Sequence, residues 1–317
     1  MLDAKRLIQC IVSSYDYHPL GEDYVMPTIG LIGATGNVGL HMLDLLAPLQ
    51  ASGAQNVRVA VRSAKGRAAV DELGLTPLDL DLGDYSGLAP ALEGIDTLFF
   101  LRPYSLEQIM HGKRVIDAAR SAGVSTIVSI GAHGAPGTPW SVIGWNFLVE
   151  AYAERSGLDW IHLRPNFFME TLLAQYDPVR GVVASRMTAS VSWIAAEDIA
   201  AAAVAVLLDP ARHAGRAYTL ATEAATMAEI ASTIGDITGR DVKLFAPTRD
   251  QVMPRLLAQG REPYYAEALL DYQDAVNAGL VPEVAEVSDA VETLAGRPAT
   301  ALHDFLALRL TPAGRRT

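Results

Sequence analysis

Short apolar runs alternate with longer amphipathic stretches through the first half of the chain. Residues 28–32, 57–61, 75–80, 96–101, 126–130 and 159–163 read as strands. Residues 38–49, 66–73, 85–92, 106–122 and 142–155 between them repeat their apolar positions at helical spacing. The strand runs are continuous apolar blocks, as in Asp96-Thr-Leu-Phe-Phe-Leu101, with no alternation of apolar and polar positions. That pattern belongs to a parallel sheet covered on both faces, the doubly wound α/β arrangement. Gly123 and Gly157 stand where helix C-caps are expected.

Beyond Pro165 the rhythm loosens. Residues 195–208 and 227–238 read as helices and 217–220 and 242–245 as strands. From Thr248 onward the pattern is mainly helical, with breakers at Pro254, Pro263, Pro282 and Pro298. The expected division is a sheet domain over 26–165 and a smaller helix-rich C-terminal lobe over 166–317, packed over the strand ends and interleaved with the sheet. Met26 directly precedes the first strand, so residues 1–25 read as a poorly ordered N-terminal extension.

Composition narrows the chemistry. The 317 residues carry a net charge of −11, which repels phosphate backbones and argues against nucleic-acid binding. A local basic pocket for one small anion stays compatible with it. Cys10 is the only cysteine, and the seven histidines lack ligand spacing, so neither a disulfide nor a metal site is expected. No apolar run is long enough to span a bilayer, and a reducing cytoplasm fits best.

The chemistry starts at Gly33-Ala34-Thr35-Gly36-Asn37-Val38-Gly39, placed between a strand and a helix. Such a loop turns tightly, lets backbone N–H groups approach a pyrophosphate and packs the helix against the strand. In that context the glycine spacing points to a dinucleotide on a Rossmann-type sheet. At the end of the second strand, an NAD site places Asp or Glu to hold the ribose 2′-hydroxyl. Here the residues are Val61-Arg62-Ser63-Ala64-Lys65. Arg62 and Lys65 suit a 2′-phosphate and Ser63 adds a donor, so NADP(H) is favoured over NAD(H).

With Asp81-Leu82-Gly83-Asp84, residues 123–130, LRPNFFMET at 163–171, and the tail Gly296-Arg297-Pro298-Ala299-Thr300 leading to Asp304-Phe305, the chain resembles the NmrA-like group of atypical short-chain dehydrogenases/reductases. The resemblance spans about residues 28–307. It implies Asp81 and Leu82 at the adenine, and Leu101, Arg102, Pro103 and Ser129 beneath the nicotinamide ribose. Pro165, Asn166 and Phe167 are implied at the carboxamide. Asp198 matches a helix-starting position and reads as a cap or dipole contact.

Typical members of the wider superfamily use a Tyr-x-x-x-Lys pair for proton transfer. Aligning on Glu150, which resembles a glutamate often found one helical turn later, puts Val142 and Asn146 at those positions, and Asn146 can at most bond a ribose hydroxyl. Tyr152 lies too far along the helix and reads as structural. What remains is direct hydride transfer from NADPH to a conjugated acceptor such as a quinone or dye. Phe168, Met169, Trp193 and His133 are the candidate pocket residues, although His133 also reads as an exposed loop residue. The second reading is a non-catalytic NADP-sensing regulator. Monomer and homodimer stay equally open.

Overall fold

Strand β1 (Thr28–Ile32) is the hub of a seven-stranded sheet. On one side it pairs with β2 (Asn56–Val61), which pairs with β3 (Thr76–Asp79). On the other side follow β4 (Thr97–Leu101), β5 (Thr126–Ile130) and β6 (Asp159–Pro165). The computed structural model describes residues 26–102, 105–135 and 137–311; the readings for residues 1–25 and for Pro103 lie outside them. Every pairing in this sheet is parallel, as the continuous apolar runs require.

Both faces are covered. Ile29, Leu31, Phe99, Val128 and Ile161 point to one side, where they meet Met42 and Leu46 of helix Asn37–Ala51 and Ile199 and Ala203 of helix Ala196–Leu208. Leu98, Phe100 and Ile127 point to the other side, against helices Tyr85–Leu92, Gln108–Ser121 and Ser141–Glu154. The second helix of the first face is buried along nearly its whole length, and its run Ala200–Ala203 lets it lie close to its neighbour.

The later half does not simply sit on top. Two short strands, β7 (Phe167–Phe168) and β8 (Tyr176–Asp177), follow β6, and then come β9 (Val182–Ala184) and β10 (Val191–Ile194). Strand β11 (Arg216–Leu220) returns to the main sheet and pairs with β6 as its edge. Strand β12 (Glu223–Ala225) pairs with β10, which also pairs with β7; β13 (Lys243–Phe245), β9 and β8 form a further small sheet. These surround a separate core of Met169, Leu172, Trp193, Tyr265, Tyr272 and Phe305.

Two expectations need correction. Pro254 lies inside helix Arg249–Ala258 and Pro263 opens helix Pro263–Asn277 at its first position, where the missing N–H costs nothing. Strands β7–β10 and β12 are absent from the sequence reading, because two to four residues are too few to show a period. Among the described residues, no helix is long and apolar enough to cross a membrane.

Candidate functional site

The strand order reverses between β1 and β4, and the crevice beyond their C-terminal ends is where an open α/β sheet binds ligands. The glycine loop occupies it. Gly33 has φ +91°, and a Cβ there would stand 2.6 Å from the Leu101 carbonyl oxygen. A Cβ at Gly39 would stand 2.3 Å from Cα of Ala34, so the first helical turn packs directly on the loop. Gly36 differs: its Cβ would meet only the Gly33 carbonyl oxygen at 3.8 Å. It faces open space.

Gly36 is also the N-cap of helix Asn37–Ala51, with no side-chain cap and no acidic residue in the first turn. The first-turn amides are left for an outside anion, aided by the helix dipole. Thr35 and Asn37 are exposed beside them. Val38 is not: its side chain is buried in the core, so only its backbone can serve a ligand.

A cavity of about 710 Å³ opens beside this loop. Of the nominated residues, Gly33, Thr35, Arg62, Ser63, Lys65, Leu82, Leu101 and Arg102 line it. Ile32 and Ala60 in the last two positions of β1 and β2 and Leu80 just after β3 line it too, with Leu40, Gly66 and Ala69 from early helical turns. These six were missed. Their signal was positional, since strand ends and first turns border the crevice of any such sheet. The lining includes Arg62, Lys65 and Arg102 and no carboxylate, in a chain of net charge −11. The Ser63 hydroxyl caps the next helix by accepting from the Gly66 N–H at 3.1 Å. Asp81 is not among the lining residues; its carboxylate accepts from the Gly83 N–H at 2.9 Å.

The remaining nominated residues stand outside that cavity. Arg102 donates to the Asn146 amide oxygen at 2.8 Å, and Asn146 donates back to the Val142 carbonyl. Ser129 bonds His162 Nδ1 at 2.8 Å, from the directly opposed position on β6. Asn166 donates to Ser192 Oγ and to the Val284 carbonyl, and Phe167 lies against Trp193 with ring centres 5.6 Å apart. Pro165 is buried at the end of β6. Val142 is buried in the second core, and Tyr152 is a surface residue that donates to Asp117 at 2.6 Å.

Three pocket assignments are corrected. Met169 and Trp193 are core residues, the latter donating its indole N–H to the Ala225 carbonyl; no face is left to wall a slot. His133 is buried, not exposed, and its Nε2 is 2.6 Å from the Glu283 carbonyl. Phe168 is half-buried and packs against the main core. Asp198 does not cap its own helix. Its buried carboxylate holds Arg297 at 2.7 Å and accepts from the Thr300 N–H, tying the C-terminal segment down.

Two buried ionisable groups, Glu150 and His162, stand outside the nominated set. Glu150 accepts two hydrogen bonds from Arg164, whose guanidinium lies over the Phe147 ring. A Cβ at Gly131 would stand 2.1 Å from Glu150 Oε1, so a side chain there would require the Glu150 carboxylate to shift. Burial pushes the Glu150 carboxyl up, and Arg164 and Arg102 pull it back down. Burial, with Arg164 and Arg102, pushes His162 down to about 3 and keeps its ring neutral.

The sequence matches the family described as NmrA-like over residues 26–293. It is 31% identical over 288 residues to an NAD(P)H azoreductase of Xenophilus azovorans, covering 87% of this chain and 95% of that one. Its fold is similar to that of an NADPH-dependent quinone oxidoreductase from Escherichia coli complexed with NADPH, with TM-score 0.77 at 24% identity over 89% and 100% of the two chains. It is also similar to NmrA, a negative transcriptional regulator in complex with NADP, with TM-score 0.70 at 17% identity over 89% and 94%.

Proposed function

The chain belongs to the NmrA-like family, and from that premise we propose that it is an NADPH-dependent oxidoreductase acting on a small conjugated acceptor such as a quinone or dye. The observation that carries this reading is the cavity at the glycine loop, cationic at Arg62 and Lys65 and free of carboxylates. An NAD site wants an acidic partner for two ribose hydroxyls; this one offers charge to a phosphate. NADPH would supply the hydride.

The residues then divide the work. Thr35, Gly36 and the first-turn amides hold the pyrophosphate. Arg62, Ser63 and Lys65 hold the 2′-phosphate, while Leu82 borders the adenine. No residue at positions 142 and 146 can exchange a proton near neutral pH, and the Asn166 and His133 side chains are spent on internal bonds. The acceptor must therefore need no proton from these side chains: a quinone that takes a hydride becomes a stabilised anion and takes its proton from water, and a cationic dye that takes a hydride becomes neutral. The relatives named for azo-dye and quinone reduction support the same reading. The small-molecule partner and cytoplasmic setting follow from it.

The absence of an acid–base pair equally favours a non-catalytic NADP sensor, for which NmrA itself is the likeness. One assay separates the two: NADPH oxidation with a panel of quinones and dyes, alongside titration with NADPH and NADP⁺. Turnover with any acceptor is expected. No turnover, with NADP⁺ bound much more tightly than NADPH, would leave the sensor. Arg62→Ala is expected to weaken NADPH by roughly ten- to a hundredfold, the worth of a charged hydrogen bond, and NADH far less. An equal loss for both nucleotides would remove the NADP assignment.

A further inference from the structure

Helix Ser141–Glu154 borders a second cavity. Its volume is about 560 Å³, inside the range of roughly 300–1,000 Å³ usual for small-molecule sites. Trp145, Phe147 and Leu148 give it apolar walls, and Glu150, Glu154 and Arg164 give it charge. It shares no lining residue with the cavity at the glycine loop. No residue nominated for the dinucleotide or its acceptor lines it.

The carboxylates there are short of donors. Arg164 gives two hydrogen bonds to a single oxygen of Glu150, Oε2. Oε1 is left with no partner, although Glu150 is only 1% exposed. A buried carboxylate oxygen without a donor is costly, and it points to a water or ligand that completes it. Glu154 stands one helical turn farther along and is about a third exposed. Its one ion-pair contact among the described residues is to His162 Nε2 at 3.7 Å, beyond hydrogen-bond reach. That ring is neutral, so it brings no charge. Arg155, next in the chain, donates to the Ala151 carbonyl. Arg164 is the one cation in the lining, and Glu150 already holds it.

We infer that this cavity binds an organic ammonium ion with an aromatic body, its ammonium donating to Glu154 and Glu150. An ammonium group has three donors and no acceptor, which suits two carboxylates. A carboxylate ligand would face two like charges and have Arg164 alone to bind. The Phe147 ring is already covered by the Arg164 guanidinium, 4.9 Å from its centre. The aromatic body therefore lies on Trp145 and on Leu148, which is well exposed. The inference stands independently of the dinucleotide reading.

The test uses three probes of one shape: 2-phenylethylammonium, 2-phenylethanol and 3-phenylpropanoate. Each is titrated against the full chain by ligand-observed NMR. The ammonium is expected to bind at least about tenfold more tightly than the other two, the worth of a charged hydrogen bond. Glu154→Gln should weaken the ammonium by about tenfold and leave the alcohol unchanged. Glu150→Gln should do the same; if it does not fold, Glu154→Gln still decides. Saturating NADPH should leave the ammonium bound. Failure of the ammonium to bind overturns the inference, as does an alcohol or propanoate that binds equally well. So does a Glu154→Gln protein with wild-type affinity for the ammonium. Displacement of the ammonium by NADPH would move the probe to the glycine-loop cavity and overturn it too.

Discussion

One methyl group separates the roles of the loop glycines. At Gly39 it would collide with the Ala34 backbone, which cannot yield without moving the loop off the helix. Gly39→Ala should cost about 3 kcal/mol, the upper range for overpacking, and lower the melting temperature with no nucleotide present. At Gly36 the methyl meets only the Gly33 carbonyl oxygen, at an ordinary van der Waals distance of 3.8 Å. Gly36→Ala should melt near wild type yet bind NADPH at least about tenfold more weakly, through crowding where phosphate must approach backbone. Wild-type affinity in Gly36→Ala would show that the loop does not seat the pyrophosphate. Positions of this kind were legible in the sequence because their reasons are local: Gly33, Gly36 and Arg62 stand just past a strand, before a helix and just past the next strand. His133 and Asn166 were not legible. Their partners at Glu283 and Val284 lie 150 and 118 residues away, and no local pattern announces a bond of that span.

Helix Ser141–Glu154 is the element where packing and charge meet. Beneath it, His162 on β6 bonds Ser129 on β5 only because the register sets the two directly opposite. The sequence reading saw β6 as an apolar strand, which is correct, but register is not written in composition. His162 has a consequence for stability. Its native value is about 3 against 6.5 when unfolded, so the unfolded chain binds the extra proton in between. The stability that His162 contributes is fully present above pH 6.5 and is lost as pH falls toward 3. The slope approaches about 1.4 kcal/mol per pH unit for one proton. Glu150, raised by burial, runs oppositely: its contribution is present below its unfolded value of 4.5 and lost as pH rises through its native one. Urea midpoints measured between pH 5 and 7 isolate the histidine best. His162→Phe should flatten the acid-side fall; an unchanged slope would mean that the ring is not held neutral.

The whole molecule divides less cleanly than its rhythm suggests. Residues 26–165 look like a complete doubly wound unit in sequence. Yet β11 forms the edge beside β6, and helix Ala196–Leu208 covers Phe99, Val128 and Ile161 from beyond the boundary. A fragment 26–165 would leave the part of that face beneath helix Ala196–Leu208 in water. It is expected to show no cooperative thermal transition by circular dichroism, whereas residues 26–311 together should show one. A sharp transition in the short fragment would restore an independent first domain. The architecture of the first half was readable because each βα step repeats one pattern; the return of β11 was not, since a five-residue strand does not say which sheet it joins.

That return also orders events in time. On the ribosome, β6 emerges well before the strand that will protect its edge, and β7–β10 and the alanine-rich helix must be made in between. At about 5–20 residues per second the nascent sheet spends several seconds with one edge and much of one face unpaired. The sheet whose crevice holds the glycine loop is therefore completed late, by a strand that stands outside the cavity lining. Synthesis past Leu220, not past the glycine loop, is what makes the crevice a permanent feature of the molecule.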